Sequence, residues 1–209
     1  LLGTIDEVAI YDFRLTGIAI AEHYDVGRQL NTYRNAVIND QPLLYYQLNE
    51  QSGTSAFDLI QGFPASWANE NDVVHNQPGL IINSNDPAFG FFDGNNANTA
   101  VPTTSLTPTF SIGTGDFTLE ISLMRNAGST AVFGLDGFAN GVSFYFSDAG
   151  GAGTMYLWIA GSFTFVSLGT HRVILGLPTH IMITRKNGLV RIFVNLKEIH
   201  QVSLPGPIQ

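Results

Sequence analysis

Gly3-Thr4-Ile5-Asp6-Glu7-Val8-Ala9-Ile10-Tyr11 opens the chain as a strand, and the residues after it read as a short helix. Ile5, Val8 and Ile10 are its apolar positions. Asp12-Phe13-Arg14-Leu15 leads to Thr16, whose hydroxyl can accept from the open N–H groups of a first helical turn. Gly27 is the expected stop. Strand alternation sends Asp6 and Glu7 to opposite faces, so they are not expected to flank one glycosidic bond.

Working outward, the same period-2 pattern recurs. Phe117, Leu119, Ile121 and Leu123 alternate with Thr118, Glu120 and Ser122. Val142–Ser147, Met155–Ile159 and Phe163–Leu168 read as further strands. Thr179–Arg185 and Leu189–Asn195 flank Lys186-Asn187-Gly188, and Asn-Gly between alternating runs is a strong hairpin signal. Pro42–Glu50 is a strand closed by a turn at Gly53. Residues 29–39 read as a polar connector, with Tyr33, Val37 and Ile38 hinting at docking. Gln61–Gly90 reads as loops with short edge strands. Many short strands with turn signals and almost no helix predict an all-β, two-sheet antiparallel sandwich.

The bulk numbers exclude several function classes. The chain has 209 residues and 44% apolar residues, enough for a real core. Charged residues are 12%, about half the usual share, so solubility leans on Asn, Thr, Ser, Gln and Gly. With net charge −8 and nine Lys plus Arg in no basic run, binding to a nucleic-acid backbone is not expected. The absence of cysteine excludes disulfides, zinc–thiolate sites and Cys nucleophiles. No apolar run approaches the ~18 residues of a membrane span. The opening Leu1-Leu2-Gly3 carries no signal-peptide pattern, and the chain is expected to be a piece of a larger polypeptide.

Pro42–Asp58, Phe91–Pro102, Gly115–Ile121 and the hairpin around Asn187-Gly188 together resemble laminin G-like domains of the concanavalin A-like lectin and glucanase superfamily, of the type found in phage and bacterial surface proteins. Two departures stand out. Tyr46 sits where the family usually has Trp, and Asn195-Leu196-Lys197 replaces its usual Asp-Gly-Lys. The resemblance implies a concanavalin A-like jelly roll. It also implies that a strand like Gly3–Tyr11, with its helix, belongs at the end of such a domain. Residues 1–32 are therefore expected to be the C-terminal strand and helix of a preceding repeat, or else a complementing strand. Residues 33–209 are expected to be a sandwich lacking its own last strand. The tandem arrangement is preferred.

Candidate sites are few. Glu120 has no second carboxylate near it in sequence, and no G-x-S-x-G elbow or glucanase carboxylate pattern occurs, so no enzyme activity is expected. The five histidines are scattered, and His180 reads as a strand-opening residue that bonds backbone. Tyr145, Tyr156 and Trp158, with Phe193, Arg191 and Glu120, fall on the face opposite the core and form a candidate glycan- or protein-contact surface; Trp67 is a further aromatic candidate. Asp93, Asn95, Asn96 and Asp58 are candidate oxygen ligands for Ca²⁺, the one cofactor the resemblance suggests. The expected role is a non-enzymatic structural or adhesive module of an extracellular or virion assembly, such as a phage tail, fibre or head-decoration protein. Its partners would be other copies or modules. The alternative is a carbohydrate-binding lectin-like module on cell-surface glycan, with part of a glycan hydrolase a distant third.

Overall fold

The computed structural model describes residues 2–27, 33–66, 73–82, 86–91, 115–127, 130–135, 142–147, 154–159, 162–167 and 173–204. Their elements are β1 (Leu2–Tyr11), α1 (Gly17–Val26), α2 (Tyr33–Asn39), β2 (Leu44–Tyr46), β3 (Ser55–Ala56), β4 (Ala65–Ser66), β5 (Val73–Gln77), β6 (Ala88–Phe91), β7 (Phe117–Ala127), β8 (Thr130–Leu135), β9 (Val142–Ser147), β10 (Thr154–Ile159), β11 (Ser162–Ser167), β12 (Thr179–Lys186), β13 (Leu189–Val194) and β14 (Lys197–Ser203). The fold is β-rich and its ladders are antiparallel, as the alternating patterns predict. An eight-stranded sheet runs β14-β13-β12-β7-β1-β6-β5, with β2 also paired to β1. β11-β10-β9-β8 form a second sheet, and β3-β4 a small third one.

The N-terminal strand is interior. β1 pairs with β7 along most of its length, from Gly3 opposite Arg125 to Tyr11 opposite Thr118. Its other edge is shared by β6, which meets Gly3–Ile5, and β2, which meets Val8–Ile10. Ile5 and Ile10 are buried among Phe117, Leu119, Ile121 and Ile183, and Val8 packs against the same cluster. Burying a large aliphatic side chain contributes ~1.5–3 kcal/mol, so Ile5 and Ile10 alone anchor β1 by several kcal/mol. The segment expected at the end of a preceding repeat thus pairs on both edges within this sheet.

β1 is not regular. Its register against β7 shifts between Asp6 and Ala9, and Glu7 has φ +54. An extra residue in one strand flips the alternation beyond it. Ile5 before the bulge and Ile10 after it therefore face the same core, while Ala9 and Tyr11 face the other side.

That other side is covered rather than solvated. α1 and α2 lie over it, packing Ile20, Tyr33 and Val37 against Ala9, Tyr11, Tyr45 and Met182. Thr16 caps α1 as its sequence predicts, accepting from Ala19 N–H at 3.1 Å. Gly27 does end α1, but with φ −59 it is not a left-handed stop. A Cβ there would lie 3.3 Å from the Tyr33 ring, so the glycine serves the close approach of α2. Residues 33–39 form a short helix rather than a connector, and Tyr33, Val37 and Ile38, the residues that hinted at docking, pack against the sheet. Both two-residue turns flanking β13 carry left-handed backbone. Asn187-Gly188 is the predicted hairpin, and Asn195-Leu196 closes β13 to β14 with φ +48 and +70.

Candidate functional site

The covered face is built around Glu120. Alternation on β7 turns Thr118, Glu120 and Ser122 away from the Phe117–Leu119–Ile121 core, as read from the sequence. Glu120 is fully buried, however, so its expected place on an open contact surface is corrected. Its Oε1 accepts from Tyr33 Oη at 2.7 Å and from His180 Nε2 at 2.7 Å. Its Oε2 accepts from His23 Nδ1 at 2.9 Å and from Tyr11 Oη at 3.4 Å. Four elements thus converge on one carboxylate: β1 through Tyr11, α1 through His23, α2 through Tyr33 and β12 through His180. Thr118 adds a second tie, accepting from Leu15 N–H at 2.9 Å and donating to Phe13 C=O at 3.1 Å.

The electrostatics follow from these contacts. Burial alone would raise the Glu120 carboxyl, but hydrogen bonds from His180 and His23 and the charge of His23 outweigh it and hold the group below the usual carboxylate range. Burial pushes His23 down, yet the Glu120 hydrogen bond, the Glu120 charge and Asp40 more than offset it, so its affinity for a proton is raised. His23 Nε2 lies 3.2 Å from Asp40 Oδ2, close enough for ion pairing although not aligned for a hydrogen bond. Tyr11, Tyr33 and Tyr45 are pushed well above the ordinary phenol value, chiefly by burial and then by the carboxylates beside them.

A second acidic cluster adjoins the first. Asp6 Oδ2 accepts from Leu80 N–H at 2.8 Å, and Glu7 Oε2 accepts from Tyr45 Oη. Asp6 stands opposite Ser122 in register, and Tyr45 belongs to the helix-covered cluster. Both carboxyls therefore lie on the same face. The sequence expectation of opposite faces fails because the bulge at Glu7 breaks the alternation it relied on. Burial, only partly offset by the Leu80 hydrogen bond, raises Asp6 to about 8, and Asp86 adds repulsion. Burial and then the charge of Asp6 push Glu7 well up. Asp6 Oδ1 is buried without a hydrogen-bond partner.

A cleft of about 230 Å³ opens above the cluster. Its polar lining includes His23, Tyr24, Ser122, Thr179, His180 and Asn195, and its apolar wall is Leu80, Ile81, Ile82 and Pro178. No carboxylate lines it among the described residues. Glu120 beneath it is ionised, fully buried and engaged at both oxygens. It has neither a proton to give nor an open lone pair to attack with.

The other sequence-derived candidates separate. The His180 ring bonds Glu120 rather than backbone, although its main chain does exchange bonds with Asn195. Phe193 is half-buried against the Met182 cluster. Arg191 is half-buried and pairs with Glu198 at 3.4 Å, a partly exposed contact of small worth. Tyr156 stands opposite Tyr145 on one side and Phe165 on the other, and Trp158 opposite Ser143 and Phe163. Asp58 accepts backbone N–H groups from Tyr45, Ile60, Gln61 and Phe63, which commits both its oxygens to a turn. Trp67, Asp93, Asn95 and Asn96 lie outside the described residues. No group of three or more His, Asp or Glu among the described residues is arranged to hold a metal ion. No described helix is long and apolar enough to cross a membrane. The residues that sequence reasoning missed are His23, Tyr33, Tyr11 and Asp40. Their one signal was Glu120 itself, a carboxylate at an alternating position between Thr118 and Ser122.

Compared with known proteins, the chain matches no family model, no curated protein and no solved structure.

Proposed function

We propose that this chain is a non-enzymatic structural or adhesive module of an extracellular or virion-surface assembly, built as a two-sheet antiparallel sandwich of laminin G-like, concanavalin A-like type. The observation that carries the reading is the saturation of Glu120. Glu120, whose partners His23, Tyr33 and His180 all line the cleft, spends both oxygens tying β1, α1, α2 and β12 together. Such a group stabilises a fold and leaves nothing for acid–base chemistry. The partners are other copies or modules of the assembly.

A carbohydrate-binding role is the second reading. The observation that favours it is the cross-strand row Tyr145, Tyr156 and Phe165, with Trp158 paired to Phe163 beside it. Aromatic residues at paired register positions of one small sheet suit either a sugar or a protein partner. Trp158→Ala separates the two. Loss of ~1–3 kcal/mol of glycan affinity supports a lectin. Weakened self-assembly in sedimentation, with glycan arrays blank, supports the structural reading. Release of reducing sugar from a polysaccharide panel, above a heat-denatured control, would overturn both.

A further inference from the structure

His23 sits between two carboxylates contributed by different parts of the chain. Its Nδ1 is 2.9 Å from Oε2 of Glu120 on β7, and its Nε2 is 3.2 Å from Oδ2 of Asp40, the residue directly after α2. The imidazole is 1% exposed, Glu120 0% and Asp40 35%. A protonated ring donates to Glu120 and sets its positive charge 3.2 Å from Asp40. A neutral ring cannot do both. With its proton on Nδ1 it keeps Glu120 but turns a lone pair toward Asp40; with its proton on Nε2 it turns the lone pair on the buried Glu120. Either neutral form sets lone pair against carboxylate in a site with little water to screen it.

Among the described residues, the other groups facing this centre bond Glu120 rather than Asp40. Tyr11 from β1 and Tyr33 from α2 donate to Glu120 and have ring centroids 6.4 and 6.1 Å from the His23 ring. His180 from β12 holds the other Glu120 oxygen. Asp6 and Glu7 of β1, with Asp86 near both, lie on the same covered face and gain negative charge as pH rises. Titration above neutrality therefore moves the whole layer in one direction, toward more negative charge between the helices and the sheet.

We propose that this cluster is a pH-sensitive clasp: with His23 protonated it locks α1 and α2 onto the sheet, and loss of that proton lets the two helices open while the sheet stays folded. The helices are the elements that can yield. They have 10 and 7 residues, too short to persist alone, whereas β1 is held by ladders on both edges.

Hydrogen exchange resolved by segment, from about pH 6 to about pH 10 and corrected for intrinsic rates, tests the clasp. Residues 17–26 and 33–39 are expected to lose about tenfold or more in protection across the range, while 181–194 keep theirs. Asp40→Asn removes the outer carboxylate, so the loss should move to lower pH. His23→Gln should flatten the transition; if that variant does not fold, Asp40→Asn decides alone. The proposal is overturned if helices and strands lose protection together, if no loss occurs across the range, or if Asp40→Asn leaves the midpoint where it was.

Discussion

The imidazole of His180 on β12 donates from Nε2 to Oε1 of Glu120 on the neighbouring β7, at 2.7 Å, with the carboxylate fully buried. The same carboxylate is gripped by Tyr11, His23 and Tyr33 from the first 33 residues of the chain. The bond is thus the point at which the body of the sheet and its N-terminal segment meet in polar contact.

Removing that charge should be severe. Glu120→Gln puts an amide N–H₂ where two imidazoles and two phenols now donate, so at least one donor loses its acceptor. Breaking a buried charged pair by removing one partner costs about 3–5 kcal/mol. Urea unfolding should show a midpoint lowered accordingly with little change in slope. A variant within about 1 kcal/mol of wild type would mean the network is not what holds the helices down.

The turn after β13 offers an opposite case. Leu196 has φ +70 and is 38% exposed, in a two-residue turn whose geometry suits glycine. A left-handed non-glycine residue costs roughly 1–2 kcal/mol, and glycine's extra freedom in the unfolded chain returns part of that. Leu196→Gly should therefore stabilise by about 0.5–1 kcal/mol, seen as a raised thermal midpoint. A lowered midpoint would show that the Leu196 side chain makes contacts outweighing the strain.

The ladder of alternating strands was legible because period 2 is written directly in Phe117–Leu123 and in the runs around Asn187-Gly188. The helix cap at Thr16 was legible for the same local reason. The site was not. Its donors come from positions 11, 23, 33 and 180, and nothing in local sequence says that α1 and α2 will lie over Glu120. Alternation assigned Glu120 correctly to the second face but could not say that the face is covered. It also failed at Asp6-Glu7, since one bulged residue changes parity without leaving a mark in composition.

Asp6 gives a pH dependence with a definite sign. Its carboxyl is raised from the ordinary aspartate value of 3.8 to about 8, so the folded state holds a proton that the unfolded chain releases. Stability from this group must then fall as pH rises from about 4 to about 8, since the folded form binds more protons throughout that window. His23, also raised, acts in the same sense: its contribution is full below its ordinary value near 6.5 and is lost as pH climbs through the folded value. Glu120, lowered, acts oppositely and loses its contribution as pH falls below the ordinary 4.5. The maximum should lie in the mildly acidic range. Urea midpoints at about pH 5 and about pH 8 check this, with the lower pH expected to be the more stable. Asp6→Asn should shrink the difference; an unchanged difference would assign the slope to other groups.

Deletion of residues 1–28 tests what the N-terminal segment is. If a preceding repeat owned it, and the missing strand lay beyond Gln209, its removal would leave the rest nearly as stable as before. The observed pairing leads to the opposite outcome. β1 hydrogen-bonds β7 on one edge and β6 and β2 on the other, so its loss opens a gap in the middle of the sheet rather than trimming an edge. Unpaired N–H and C=O groups would then line both sides of the gap. Ile5 and Ile10 would leave the core, and Tyr11 and His23 would leave Glu120 with only Tyr33 and His180. Several kcal/mol of burial and a buried charge short of donors exceed what a domain stable by about 5–15 kcal/mol tolerates without large loss. The truncated chain should show no cooperative unfolding transition in circular dichroism, and a synthetic 1–28 peptide should restore it with saturable affinity. A truncated chain that unfolds cooperatively near the intact midpoint would return the segment to a neighbouring module.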